Sequence, residues 1–191
     1  MTERPIDGLR IPASIVSPDA ADFIEMTRVR NDIEAEGAGN YDLAYEPTEL
    51  LPSWQNTDYE PRRLFVARLD GRIVGRGHYE TTASDESTTA WLTVVVLPTV
   101  RRRGIGAAMY ERIESLAAEE GRTVLQAYIM DTADFPGERI PSPTGFGSVS
   151  RGSPGSRFAL ARSFALGQVE RVNRLALPTA PGELERHLGA A

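Results

Sequence analysis

"LTVVVLPTVRRRGIGAAMYERI", residues 92–113, is the stretch on which the reading of this chain turns. Six apolar or hydroxyl side chains run into Pro98, so a strand ends there. Arg101, Arg102 and Arg103 follow, then Gly104 and Gly106. Beyond them Ile105, Met109, Ile113, Leu116 and Ala117 recur at helical spacing until Gly121 stops the pattern. The chain thus places its densest positive charge where a strand hands over to a helix. The first turn of a helix leaves backbone N–H groups unpaired, and the helix dipole makes that end partly positive. Glycine lets an anion come close to the backbone, and arginine adds forked donors. No carboxylate appears in this helix before Glu111. The junction therefore reads as a holder for the phosphates of a phosphorylated cofactor.

The surrounding sequence supplies a sheet. "AWLTVVVL" (90–97) is apolar on both faces, which predicts a central strand, and "TVLQAYIM" (123–130) predicts a second. A helix joins them, so they should run parallel. Upstream, "RRLFVARLDGRIVGRGHYETT" (62–82) predicts a hairpin, because Asp70-Gly71 accepts the positive φ angles of a two-residue turn. "SDEST" (84–88) is a polar turn into the central strand. Ser17-Pro18-Asp19 opens a helix carrying Phe23, Met26, Val29 or Arg30, and Ile33, expected to end at Gly37. "PTELLPSW" (47–54) predicts a short helix, and residues 9–16 a short first strand. The expected fold is α/β (α+β): a mixed, mostly antiparallel sheet with one parallel pair and helices on both faces.

Residues 131–156 carry four prolines and five glycines with no periodicity and read as a long loop. A helix "SRFALARSF" (156–164) and a strand "QVERVNRLAL" (168–177) are expected after it. There are no internal repeats.

Composition narrows the function. Cysteine is absent, which excludes disulfides, thiolate catalysis and zinc–sulfur sites. All 21 basic residues are arginine, so no lysine nucleophile or phosphate clamp exists. A net charge of −6 argues against a general nucleic-acid binder. No segment predicts a membrane helix, and "MTERPIDGLR" is unlike a signal peptide, so a cytoplasmic protein is expected. The charge is uneven: residues 1–100 hold 9 arginines against 17 acids, residues 101–191 hold 12 against 10.

A P-loop is excluded for want of lysine, and Gly104-Ile105-Gly106 lacks the third glycine of a dinucleotide fingerprint. The longer string is more specific: Val96-Leu97-Pro98, two residues, then Arg101-x-x-Gly104-x-Gly106. It resembles the acetyl-CoA site of the GNAT family of N-acetyltransferases, and the order of elements resembles that family from about residue 9 to 177. The resemblance implies a GNAT domain over residues 1–178, with 179–191 a linker or the start of a further element. It implies acetyl-CoA, or another acyl-CoA, as cofactor. Val94, Val95 and Val96 would pair with the pantetheine arm. Backbone amides of Arg102, Arg103, Gly104, Ile105, Gly106 and Ala107, beside Arg101, would wrap the pyrophosphate. A proline-marked bulge would splay strand 90–97 from strand 123–130.

Acetyl transfer to an amine needs an oxyanion donor and a proton acceptor. The donor is expected on the backbone near Val96 or Leu97. Glu80 is the first candidate base, with Tyr79, His78 and Asp131 as alternatives. Many family members carry a tyrosine in the last helix as the acid; here Ala159 takes that place, and Tyr128 is the nearby hydroxyl. Glu25, Asp32, Glu34, Glu36, Asp42, Glu46 and Glu49 could make a cleft that attracts a cationic amine, small molecule or peptide, or an ordinary solvated face. Trp54, Tyr41 and Tyr45 could line an acceptor pocket or belong to the core. "SRFALARSFALGQVERVNRLALP" and "PTGFGS" resemble the first half of tandem GNAT proteins, which makes a second GNAT domain, or a second copy, the expected protein partner. Two functions remain open: an acetyl-CoA-dependent N-acetyltransferase, or a non-catalytic acyl-CoA-binding module supporting a partner domain.

Overall fold

A computed structural model describes residues 6–84, 86–132 and 134–172, together with Gly182 and Arg186. The chain divides into two compact units, Met1–Phe135 and Pro136–Ala191.

The first unit is built on a five-stranded sheet in the order β1-β2-β3-β4-β5. β1 is Ile6–Gly8, β2 Arg62–Leu69, β3 Arg72–Thr81, β4 Thr89–Val96 and β5 Val124–Ala127. β1 through β4 pair antiparallel; β4 and β5 pair parallel, as a helical crossover requires. Asp70 (φ 50°) and Gly71 (φ 78°) both take left-handed backbone angles, which closes the β2–β3 hairpin as the sequence predicts. The first strand precedes its expected place at 9–16, and Leu9 instead is buried in the core.

Helices cover both faces. α1 (Ala21–Ala38) buries Phe23, Met26, Val29 and Ile33, as the sequence predicts, and Thr27 beside them. Gly37 does not end it; Gly39 does, at φ 75°, donating its N–H to the Ala35 carbonyl at 2.8 Å. Only the glycine beyond the last helical residue needs the left-handed angle. α2 (Pro47–Gln55) opens on a Glu46/Glu49 capping box and carries Pro52 within its final turn. Together α1 and α2 bury Leu50, Leu51 and Trp54 against Leu64, Val66 and Ile73 of the sheet. Each such side chain contributes roughly 1.5–3 kcal/mol on burial.

α3 (Ile105–Glu119) covers the opposite face with Ile105, Met109, Tyr110, Ile113, Leu116 and Ala117. Gly77 makes this packing possible: a Cβ there would stand 2.8 Å from Met109 and 2.9 Å from Ile113. A bulge sits in β3, where Ala67 faces Gly75 but Arg68 faces Ile73. The extra residue, Val74, turns Ile73 to the α1 side, while Gly77 stays under α3.

The second unit holds β6 (Arg139–Pro141) and β7 (Ser148–Ser150), an antiparallel pair inside the segment read as a loop, and α4 (Pro154–Leu160). α4 starts two residues before its expected position, capped by Ser153, whose hydroxyl accepts from the Ser156 amide at 3.2 Å. Residues 168–172 are not a strand, and the rest of that expected strand and the tail lie outside the described residues.

Candidate active site

Strand alternation decides what β4 offers. The Leu97 N–H donates to the Val74 carbonyl at 2.9 Å, toward β3. The peptide groups of Val96 and Val94 therefore face the other way, toward β5. Pairing with β5 runs only from Thr89↔Val124 to Leu92↔Ala127. Thr93 to Val96 keep β3 on one side and have no strand on the other, so the parallel pair splays at this point. The β3–β4 register is unbroken from Thr81↔Ala90 to Gly75↔Val96. The splay thus arises because β5 stops at Ala127, without the expected bulge in β4. Leu97 is not an available oxyanion donor, since its N–H is already bonded.

The last turn of α1 spans the mouth of this gap. Glu36 accepts from Arg101 Nη1 at 2.7 Å, on the β4 side. Gly37 packs on Met130, on the β5 side, so closely that a Cβ would stand 2.5 Å from the methionine Cγ. Arg101 also donates through Nε to the Val96 carbonyl at 2.8 Å. Its guanidinium is therefore tied within the chain and acts as a strut between β4 and α1.

After a short 3-10 turn (Pro98–Val100), the chain enters α3 through Arg102 (φ 64°) and Gly104 (φ 84°). Arg102 and Arg103 are exposed. No side chain caps α3 and its first turn holds no acid. The first N–H to find a backbone partner is that of Ala108, which donates to Gly104 at 3.0 Å. Among the described residues the amides of Arg102 to Ala107 have no hydrogen-bond acceptor. Six consecutive free donors, two left-handed residues and no opposing carboxylate form a cradle that fits a pyrophosphate.

The face of the sheet under α1 and α2 carries a second group. Arg76, His78 and Glu80 alternate on β3, opposite Val95, Thr93 and Trp91 of β4. Trp54 of α2 stacks edge-on against His78 with centroids 4.9 Å apart. Burial, then the charges of Arg76 and Arg62, push the His78 imidazole down to about 3, so it is neutral at physiological pH. Glu80 Oε2 lies 3.3 Å from His78 Nε2 but 2.7 Å from Arg62 Nε, which offsets its charge. An open cleft of about 500 Å³, lined by Pro52, Ser53, Asn56, Tyr59, Glu60 and Arg62, adjoins this pair.

The other candidates scatter. Tyr79 points to the α3 side, fully covered, and donates to Glu120 at 2.7 Å; burial pushes its phenol up to about 12. Tyr128 is 62% exposed, one residue past β5 and two strands from Glu80. Two strand spacings are about 10 Å, too far for Tyr128 and Glu80 to share a proton. Asp131 accepts from the Thr132 amide at 3.0 Å. Of the acids on α1 and α2, Glu25 pairs with Arg72 at 3.3 Å, Glu34 with Arg30 at 3.8 Å, and Asp32 with the Tyr41 hydroxyl at 3.1 Å. Trp54 is core, whereas Tyr41 and Tyr45 are exposed. Sequence reasoning missed Arg76, because an arginine in a strand reads as an outward residue until the helices above it are placed. Along the sequence Glu36 stands only as one acid among seven.

The profile of the Acetyltransferase (GNAT) family matches residues 28–136, more than half of the chain and the whole of the splayed pair and cradle. This chain belongs to the GNAT family. Among solved structures, a tandem GNAT protein from the clavulanic acid biosynthesis pathway superimposes with a TM-score of 0.59 at 22% identity over 84% of this chain. The chain spans only 43% of the length of that protein. AAC(6')-Iy, solved with the bisubstrate analogue CoA-S-monomethyl-acetylneamine, superimposes at 0.56 with 13% identity, over 92% of this chain and 100% of that one. At these identities the likeness is one of fold. A comparison with curated proteins found no match. No helix among the described residues is long and apolar enough to cross a membrane, and no group of described side chains could hold a metal ion.

Proposed function

We propose that this GNAT domain is an N-acetyltransferase that moves an acetyl group from acetyl-CoA to an amine by direct attack within a ternary complex. The observation that carries this reading is the continuity of two features: the edge of Thr93–Val96, which no strand pairs and where Arg101 takes only the Val96 carbonyl, leads into six unpaired amides at Arg102–Ala107. An extended pantetheine can add to such an edge like a strand, while its diphosphate takes the amides. Bound there, the cofactor supplies an activated thioester carbonyl. The Val94 and Val96 N–H groups face the gap and are the candidate donors to the developing oxyanion.

Glu80 stands on the acceptor face and, through solvent in the adjoining cleft, is the candidate to take the amine proton. On this reading the enzyme would be cytoplasmic, where acetyl-CoA is available, with residues 1–178 as the acyltransferase domain and 179–191 as a linker or the start of a further element. A non-catalytic acyl-CoA-binding role has one observation in its favour: α4 reads Pro154-Gly-Ser-Arg-Phe-Ala-Leu160 and holds no tyrosine.

Thermal melting with acetyl-CoA, followed by thiol release with a panel of amines, tests both. A ligand at 100 times its Kd adds about 2.7 kcal/mol of stability. Gly106→Glu, which places a carboxylate in the first turn of α3, should abolish the melting shift. A full shift in that variant refutes the cradle; a shift in the native protein without thiol release on any amine leaves only the binding role.

A further inference from the structure

Arg76 is the one buried cation among the described residues, and no ion pair or hydrogen bond holds it. It is 8% exposed, and its Nε is sealed from solvent with no hydrogen-bond acceptor. The half-buried arginines around it all have partners. Arg30 has the Leu43 carbonyl at 2.6 Å and the Tyr45 ring at 4.8 Å. Arg62 has Glu80 and Glu60, and Arg101 has Glu36. Arg76 has the Trp54 ring at 5.9 Å, a weak contact at that range. Burial, and next the charge of Arg30, lowers its pKa to about 10 against the opposing pull of Glu34, which itself pairs with Arg30, so Arg76 stays charged at neutral pH. A buried, unpaired guanidinium is strongly unfavourable unless an anion answers it.

Its position says which anion. Arg76 is the β3 partner of Val95, so it lies one strand spacing, about 4.8 Å, from the middle of the free edge Thr93–Val96. Cross-strand partners share a face, and Val95 packs under α1 and α2, on the side away from α3. We propose that Arg76 binds the carboxylate of the acceptor, so that the molecule acetylated is an amino acid, its amine a few bonds from the carboxylate. This rests on the acetyltransferase reading above and names its substrate class. A guanidinium fork matches a carboxylate with two parallel hydrogen bonds. Anchored there, the acceptor holds its amine over the splayed edge, within reach of the thioester. The nitrogen lone pair attacks the carbonyl carbon, the C–N bond forms, and the C–S bond breaks with its electron pair on sulfur. The proton lost by nitrogen ends on that sulfur as the free CoA thiol.

The test begins without cofactor. The twenty amino acids and their primary amides are screened by melting against the native chain, Arg76→Met and Arg76→Lys, and acetyl-CoA is run separately on each. At least one amino acid should raise the native melting temperature while its amide does not. Arg76→Met should lose that shift, Arg76→Lys should keep part of it, and all three should keep the acetyl-CoA shift. Unliganded Arg76→Met should melt no lower than the native chain, because it removes an unanswered charge. With acetyl-CoA present, kcat/KM for the responding amino acid should exceed that for its amide at least tenfold, and Arg76→Met should remove the preference through KM. No difference between acids and amides, or a difference that survives in Arg76→Met, overturns the proposal. So does a large fall in the melting temperature of unliganded Arg76→Met, which would make the residue a structural one. An amino-acid shift with no acetyl-CoA shift supports the carboxylate site and refutes the cofactor reading instead.

Discussion

His78 should make this protein sensitive to mild acid, in a way a single substitution removes. In the folded chain the imidazole titrates at about 3, against 6.5 when unfolded, because it is buried and faces Arg76 and Arg62. A histidine whose folded pKa is depressed contributes stability above its unfolded pKa. That contribution is lost as pH falls from 6.5 toward 3, since the unfolded chain takes up a proton that the folded one refuses. Each unit of pH in that window is worth about 1.4 kcal/mol, so moving from pH 7.5 to 5.0 should remove about 2 kcal/mol. The opposing effect is Glu80, 3.3 Å away, but the same oxygen lies closer to Arg62 Nε, at 2.7 Å. Urea unfolding of the native chain and His78→Gln at the two pH values isolates the effect. Loss of the edge-on contact with Trp54 costs the variant about 0.5–1.5 kcal/mol at both pH values and cancels in the comparison. The native chain should lose about 2 kcal/mol more than the variant on acidification. Equal losses, within about 0.5 kcal/mol, or a native chain that is firmer at pH 5, would show that Glu80 prevails and the reasoning is wrong.

Two further outcomes concern packing and the strut. Gly77→Ala should destabilise by about 1–3 kcal/mol, because its Cβ would stand under 3 Å from the side chains of Met109 and Ile113, both wholly buried. Gly8→Ala, with nothing within 4 Å of its Cβ, should stay within about 0.5 kcal/mol of the native chain in the same urea titration, and a similar loss in both would refute the packing argument. Glu36→Gln should cost under about 1 kcal/mol, since both partners of the Arg101 pair are partly exposed. It should also raise affinity for acetyl-CoA a few-fold at low salt, by freeing a positive charge beside the cradle; weaker binding by calorimetry would mean that the strut holds the gap open.

Much of the scaffold is local and was legible for that reason. The Asp70-Gly71 turn, the α1 and α3 stripes and the strand–proline–arginine–glycine junction depend on residues a few positions apart. Errors fell where local signals compete. Gly37 reads as a helix stop, yet it sits inside α1 because Met130 packs where its side chain would be. β6 and β7 each span three residues, too few to show alternation amid prolines and glycines.

By itself the sequence determined the order of elements, the unopposed positive turn at the start of α3 and the family, since each rests on spacing along the chain. Which charges are satisfied was decided only by the tertiary structure. Glu36 reaches Arg101 across 65 positions, Glu80 is bound to Arg62, and Arg76 is buried with its Nε unbonded. The physical reason is that a charge is costly only where water is excluded, and exclusion is a property of packed helices and strands together.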